Sequence, residues 1–467
     1  MPSQSSDLVL GVDSSTQSVK ALLVRADDGT VVDQRSAPHP DGTEVDPQAW
    51  LDALDEVSAD LLPRAAAVAV GGQQHGMVAL DAGGDVVRPA LLWNDTRSAQ
   101  AAQQLVQSWG GPQACAAAVG SVLVASFTAT KLRWLRDHEP ANAERVHQVL
   151  LPHDLLTWHL TGRSHEPTTD RGEASGTGYF SPATSAWRPD LATDALGHDV
   201  RLPRVAAPDE VVGRSASGAV VAPGTGDNMA AALGLGLRPG DVAVSVGTSG
   251  VASAVAATAC ADPTGDVAGF CDAAGAYLPL VCTLNAARVL DTTARLLGTD
   301  HDGLSALALD APSGAGGVTL LPYLDGERTP NRPQARGTLH GITTATGPEH
   351  LARAAVEGLL CSLADAVDRL AGVTGVAVER VVLLGGGARS RAVRELAPAV
   401  FGRPVVVPGE SEYVALGAAR QAAWSLSGAD APPSWSLPDP LTFEAEPTPH
   451  VREAYARLRD RTDDWSS

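Results

Sequence analysis

Lysine is nearly missing from this chain: Lys20 and Lys131 are the two that occur, against 32 arginines in 467 residues. Positive charge is scarce overall. The formal net charge of −20 argues against a nucleic-acid partner or an anionic membrane surface, since phosphate-rich partners are repelled at long range. No apolar run approaches the ~20 residues that span a bilayer. The opening Met1–Asp7 lacks the basic and apolar regions of a signal peptide, so a cytoplasmic protein is expected. The five cysteines, Cys115, Cys260, Cys271, Cys282 and Cys361, are odd in number and contain no C-x-x-C, so reduced core thiols are expected rather than a disulfide framework or zinc. There is no H-E-x-x-H, and His153, His159 and His165 are spaced wrongly for one helical face. Neither a G-x-x-x-x-G-K-[ST] loop nor a G-x-G-x-x-G strand–turn–helix occurs, so nucleotide binding needs another architecture.

The chain is longer than one hydrophobic core normally spans, and 44% apolar with 19% charged residues is a globular composition. Two large lobes are therefore expected. Leu8–Asp13, a polar turn over Ser14–Ser18 and Val19–Val24 read as a hairpin, and Val242–Val246, the turn Gly247–Gly250 and Val251–Val255 repeat it. Two such turns can aim backbone N–H groups at a polyphosphate. Elsewhere short apolar strands alternate with helices, as in α/β proteins. Ala65–Gly71 reads as a strand and Arg97–Trp109 as a helix. A second helix starts at Pro348 and Glu349 and buries Val356, Leu359, Leu360, Leu363, Val367 and Leu370. Arg380–Leu384 reads as a buried strand, Gly385–Gly387 as a turn, and Ser390–Phe401 as a helix that Pro398 breaks or kinks. The expected division is 1–237, 238–430, and a proline-rich irregular arm over 431–467.

Asp13 ends a strand beside Ser14, Ser15, Thr16 and Ser18, where hydroxyls and amides can hold phosphate oxygens and the carboxylate can meet Mg²⁺. The alternative is a capped hairpin turn. Lys20 is either a phosphate contact or a solvated strand residue. Gly224-Thr225-Gly226-Asp227-Asn228 puts a carboxylate at the start of a small-residue helix over Met229–Leu237. There it can take the proton of an attacking hydroxyl, or it can merely cap the helix. Gly247-Thr248-Ser249-Gly250 and Gly385-Gly386-Gly387 let backbone approach phosphate or a flat ligand, or are ordinary glycine turns. Gln73-Gln74-His75-Gly76 and Trp93-Asn94-Asp95-Thr96-Arg97 can together line a rim for a polyol, although His75 alone reads as a loop histidine and Trp93 alone as a core anchor.

Taken in order, these segments resemble the FGGY carbohydrate kinases, and within them the xylulokinases. Asp13–Lys20 is similar to the family's first phosphate motif, Gly224–Asn228 to its catalytic loop, Val246–Gly250 to its second phosphate motif, and Gly385–Ser390 to its adenosine motif. The subfamily resemblance rests on Gln73–Gly76 with Trp93–Arg97, on Thr169-Asp170 with Ala174–Thr177, and on Leu321–Pro330. Gln74 stands where many relatives carry Met, and Ser14-Ser15 replace an apolar-Gly pair. The resemblance implies an α/β fold of two ribonuclease H-like, actin-type domains with a cleft between them, sugar by the N-terminal lobe and ATP–Mg²⁺ by the C-terminal one. It implies phosphorylation of a ketopentose, D-xylulose to D-xylulose 5-phosphate, with Asp227 as base and Asp13 serving Mg²⁺ directly or through water. Gln74, His75, Trp93, Asp95, Asp227 and Asn228 would hold the sugar. Ser15, Thr16, Lys20, Gly247, Thr248, Ser249, Gly385, Gly386, Gly387 and Arg389 would hold ATP. A monomer or homodimer is expected. The competing readings are another FGGY kinase, acting on ribulose, another ketose or a polyol, and a non-enzymatic actin-like nucleotide switch.

Overall fold

The computed structural model describes residues 7–463. Met1–Ser6, on which the reading of the opening segment partly rests, lie outside that range. Two compact units emerge: Met1–Gly236 with 257–278 and 411–436, and Leu237–Ala256 with 279–410 and 437–467.

The first unit is built on a mixed sheet. β1 (Leu8–Ser14) and β2 (Ser18–Arg25) form the expected hairpin, with Asp13 opposite Lys20, and β3 (Val31–Pro38) extends it antiparallel. β4 (Ala67–Gly72) lies parallel to β1 on the other side, followed by β5 (Val220–Val221). Side chains alternate faces along a strand. In β1 and β4, Leu10, Val12, Val68 and Val70 enter one apolar cluster with Trp50 and Leu54, while Val9, Ala67 and Ala69 enter another on the opposite face. A sheet buried on both sides reads as continuous apolar runs, and so these strands were visible in the sequence. The two-residue β6 (Thr225–Gly226) also pairs with the end of β4 and leads directly into α1 (Asp227–Leu235).

The second unit repeats the plan. β7 (Asp241–Val246) and β8 (Gly250–Ala254) form the second hairpin, joined on one side by β9 (Tyr277–Thr283) and on the other, in parallel, by β10 (Arg380–Leu384) and β11 (Val405–Val407). α2 (Pro348–Thr374) carries Pro at its first position and buries all six of the apolar residues expected of it. α3 (Arg391–Phe401) is capped by Ser390 and runs on past Pro398. Proline removes one hydrogen bond, but Val400 and Phe401 beyond it are both buried, and their packing holds the last turn. From Ala431 onward the chain is less irregular than its prolines suggested: Leu441–Phe443 pairs with β11, and Pro449–Arg461 is a helix that buries Val451, Tyr455 and Leu458.

Between these last segments α4 (Tyr413–Ser427) returns to the first unit and packs on α1, β1 and β4. The approach is backbone-close. A Cβ on Gly11 would lie 2.5 Å from the Ala419 nitrogen and would overlap the Ala415 carbonyl oxygen, and one on Gly417 would lie 2.6 Å from the Ala230 carbonyl carbon. Small residues therefore line this face: Ala415, Ala418, Ala419 and Ala422 are fully buried.

Candidate active site

The end of β4 organises the first unit's polar centre. Gly71 pairs with Asp13 of β1 on one side and Thr225 of β6 on the other, and Gly72 pairs likewise with Ser14 and Gly226. Asp13, and Asp227 just beyond Gly226, thus emerge at the same end of the sheet, on either side of a pair of glycines that carry no side chain over the gap. Burial, and then the negative charge of Asp227, pushes the Asp13 carboxyl up to about 7, against a downward pull from Lys20. Burial also lifts Asp227 to about 6, although Asn228 donates to its Oδ1 from both backbone N (2.7 Å) and Nδ2 (2.9 Å). Two carboxyls so placed are poised to exchange protons near neutrality.

Asp227 opens α1, but the N-cap position belongs to Gly226, so the capping alternative does not describe it. The Asp13 turn is closed by Ser15 N (3.1 Å) and Oγ (3.0 Å) on Ser18 O. Lys20 Nζ lies 2.7 Å from Glu412 Oε2 at the half-exposed head of α4. Ser14 Oγ and Asp13 Oδ1 are buried with no protein hydrogen-bond partner.

The proposed sugar rim gathers nearby but divides its labour. Trp93 is 47% exposed, not a core anchor, and its indole Nε1 donates to Thr16 Oγ1 at 2.9 Å. His75 adopts a positive φ of 72°, a strained conformation for a side-chain-bearing residue. Its Nδ1 lies 2.6 Å from Gly176 O and its ring sits 4.9 Å from Phe127. Gln74 is buried, donating to Gly172 O at 2.8 Å. Asp95 is also buried. Burial alone would raise its pKa, but hydrogen bonds from Arg97 and Thr43 hold it below the ordinary carboxylate value. Gln74 and Asp95 thus bond protein groups, Gly172 for the one and Thr43 and Arg97 for the other. Arg97, expected to open a helix, pairs instead with Asp95 and Glu44, and the helix is Ala99–Ser108.

In the second unit the β7–β8 turn leaves Thr248 and Ser249 exposed, while Gly247 O and Thr248 O accept from Ala287 N and Ala286 N. Gly385, at a φ of 87°, and Gly387 press on Val246 at the base of that turn, where a Cβ on Gly385 would sit 2.8 Å from the Val246 oxygen. Both glycine turns are thereby brought together. Gly386 faces open space, and Arg389 is exposed, 2.8 Å from Glu410.

Residues 8–234 match the FGGY family of carbohydrate kinases, N-terminal domain, and residues 242–426 match its C-terminal domain. The chain belongs to the FGGY family of carbohydrate kinases. Among the curated relatives of this FGGY chain are a xylulose kinase of Streptomyces coelicolor, 49% identical over 91% of this chain and 89% of the relative, and one of Escherichia coli K12, 36% identical over 89% of each. A solved xylulose kinase from Bifidobacterium adolescentis superposes with a TM-score of 0.91 at 44% identity, over 97% of this chain and 99% of the other.

One group of this FGGY kinase was not read as functional in the sequence. Asp170, Glu173, Thr225, His153 and Asp154 form a buried polar cluster behind the Asp227 loop. Thr169-Asp170 was visible as a family-like segment, but its partner Thr225 lies 55 residues away. Burial, with the charges of Asp154, Asp170 and Asp227, holds the Glu173 carboxyl well above its usual range, and neither of its oxygens has a protein hydrogen-bond partner.

Proposed function

We propose that this kinase transfers the γ-phosphoryl group of ATP to the terminal hydroxyl of D-xylulose, giving D-xylulose 5-phosphate, with Asp227 as general base. The observation that carries the reading is the placement of Asp13, opposite Gly71, and of Asp227, directly after the Thr225–Gly226 strand, on either side of Gly71 and Gly72. The xylulose kinases among the relatives support the choice of sugar. A sugar hydroxyl must lose its proton as its oxygen attacks phosphorus, and an ionised Asp227 can accept it. His75 and Trp93, with Asn228 beside the base, orient the sugar, while Gln74 and Asp95 brace them. The Gly247–Ser249 and Gly385–Gly387 turns of the second unit, with Arg389, are assigned to ATP.

Among the described residues no group of three or more His, Cys, Asp or Glu could cage a metal. Mg²⁺ does not require one, since it commonly takes one or two carboxylates together with water and substrate phosphates. Asp13 fits that demand, its Oδ1 being buried and unpartnered. Mg²⁺ bound there would neutralise charge on the phosphate oxygens.

Coupled ADP release, measured across pentuloses, hexuloses and polyols at saturating ATP–Mg²⁺, tests the reading. D-xylulose is expected to give the highest kcat/KM. A different sugar in first place overturns the assignment.

A further inference from the structure

We propose that Asp170 is a positioning residue that sets the aim of Asp227 by gripping the Thr225 hydroxyl. The inference rests on Asp227 being the base.

Asp227's own side-chain contacts cannot fix its direction, because both come from Asn228, its immediate neighbour on the same helix. These bonds move with α1. The anchor must lie upstream, where the loop leaves the sheet. Thr225 is fully buried, its backbone paired with Gly71, and its Oγ1 donates to Asp170 Oδ2 at 2.7 Å. That same oxygen accepts Gly172 N at 3.0 Å, and Oδ1 accepts Glu173 N at 2.8 Å. One carboxylate therefore ties the loop before Asp227 to the start of the segment Arg171–Ala174. Gln74 donates into that segment at Gly172 O, so sugar rim and base share one support.

The surroundings leave little play. A Cβ on Gly226 would lie 2.6 Å from Glu173 Oε2, one on Gly172 would lie 2.7 Å from Thr225 Oγ1, and one on Gly224 would overlap the His153 ring. His153 itself holds Pro223 O at 2.8 Å through Nε2. Hydrogen bonds to a carboxylate are about twice as strong as neutral ones and gain further in a dry interior. Displacement of a reacting group by about 1 Å costs on the order of 100-fold in rate.

The test compares Thr225→Val, which keeps the shape and removes the donor, with Thr225→Ser, which keeps the donor, alongside Asp227→Asn. Thr225→Val is expected to lower kcat about 10- to 100-fold, the loss from a missing charge-assisted hydrogen bond, with KM for D-xylulose within about threefold. Thr225→Ser is expected to keep kcat within about threefold, and adding Asp170→Asn to Thr225→Val is expected to lose little more. Unchanged kcat in Thr225→Val, equal losses in Val and Ser, or a loss that tracks a lowered melting temperature overturns the positioning role. If Asp227→Asn abolishes turnover while Thr225→Val leaves it intact, the base stands and the positioning role falls. If Asp227→Asn keeps turnover, both fall.

Discussion

Gly417→Ala sets two physical effects against each other in one methyl group. Alanine is favoured over glycine inside a helix by about 1 kcal/mol, and Gly417 is a helical residue of α4. The new Cβ would lie 2.6 Å from the Ala230 carbonyl carbon and 2.8 Å from Gly234 N, atoms of the α1 backbone that cannot swing aside. The Cβ would also overlap the Ala230 carbonyl oxygen, and ordinary contact needs about 3.4 Å or more, so α1 and α4 must part by more than an ångström. Overpacking of this kind costs about 1–3 kcal/mol, and a rigid backbone contact belongs at the upper end. The net is a loss of about 2 kcal/mol, or about 4–8 °C at the 2–4 °C per kcal/mol of a domain this size. Because α1 begins at Asp227, the same shift should lower kcat by about tenfold or more. The control is Gly372→Ala near the end of α2, where a Cβ meets nothing within 4 Å. It should raise stability by up to about 1 kcal/mol and leave turnover alone. Differential scanning calorimetry with steady-state kinetics reads both. Equal melting of Gly417→Ala and wild type would refute the claim that backbone contact fixes α1.

Two further predictions concern charge. The Asp227 carboxyl is held at about 6, so loss of the ionised base should make kcat/KM fall about tenfold per pH unit below an acid limb near pH 6. A profile flat down to pH 5 contradicts it. Asp227→Asn should also stabilise the fold in a pH-dependent way. The fold favours the protonated carboxyl, with a pKa of about 6 against an ordinary 3.8. The destabilisation is absent below about pH 4, grows as pH rises through 6, and is constant above. Its size is about 1–3 kcal/mol, the full linkage value discounted for the side chain's partial exposure. Thermal melts should show the variant more stable at pH 8 and level with wild type at pH 4, and a gain independent of pH counts against the explanation.

Much of the frame was legible because it is written in local pattern. The two hairpins are apolar β-rich runs about a polar turn, and α2 announces itself by Pro348, Glu349 and six apolar residues at helical spacing. Arg380–Leu384 was read to its ends. What stayed hidden depends on residues distant in sequence. Lys20 meets Glu412, 392 positions away, and α4 rejoins the first unit after the second has been built, so neither could be inferred from a neighbourhood. Thr225–Gly226 is too short to register as a strand, yet its pairing with Gly71 and Gly72 places Asp227 beside Asp13. Composition gave no hint that Glu173 would be fully buried. The sugar rim was half visible: Trp93 and His75 could be named, but that Asp95 and Gln74 bond protein groups follows from Thr43 and Gly172, which carry no motif.

The account's central claim is that Asp227 takes the sugar's proton during phosphoryl transfer. The most direct measurement is D-xylulose-dependent ADP release by Asp227→Ala beside wild type, at pH 8 and saturating ATP–Mg²⁺, with folding checked by thermal melting. Loss of a positioned general base predicts a fall in kcat of about 10²–10⁴-fold in a protein that melts as high as wild type or higher. A folded Asp227→Ala that turns over D-xylulose at the wild-type rate contradicts the claim.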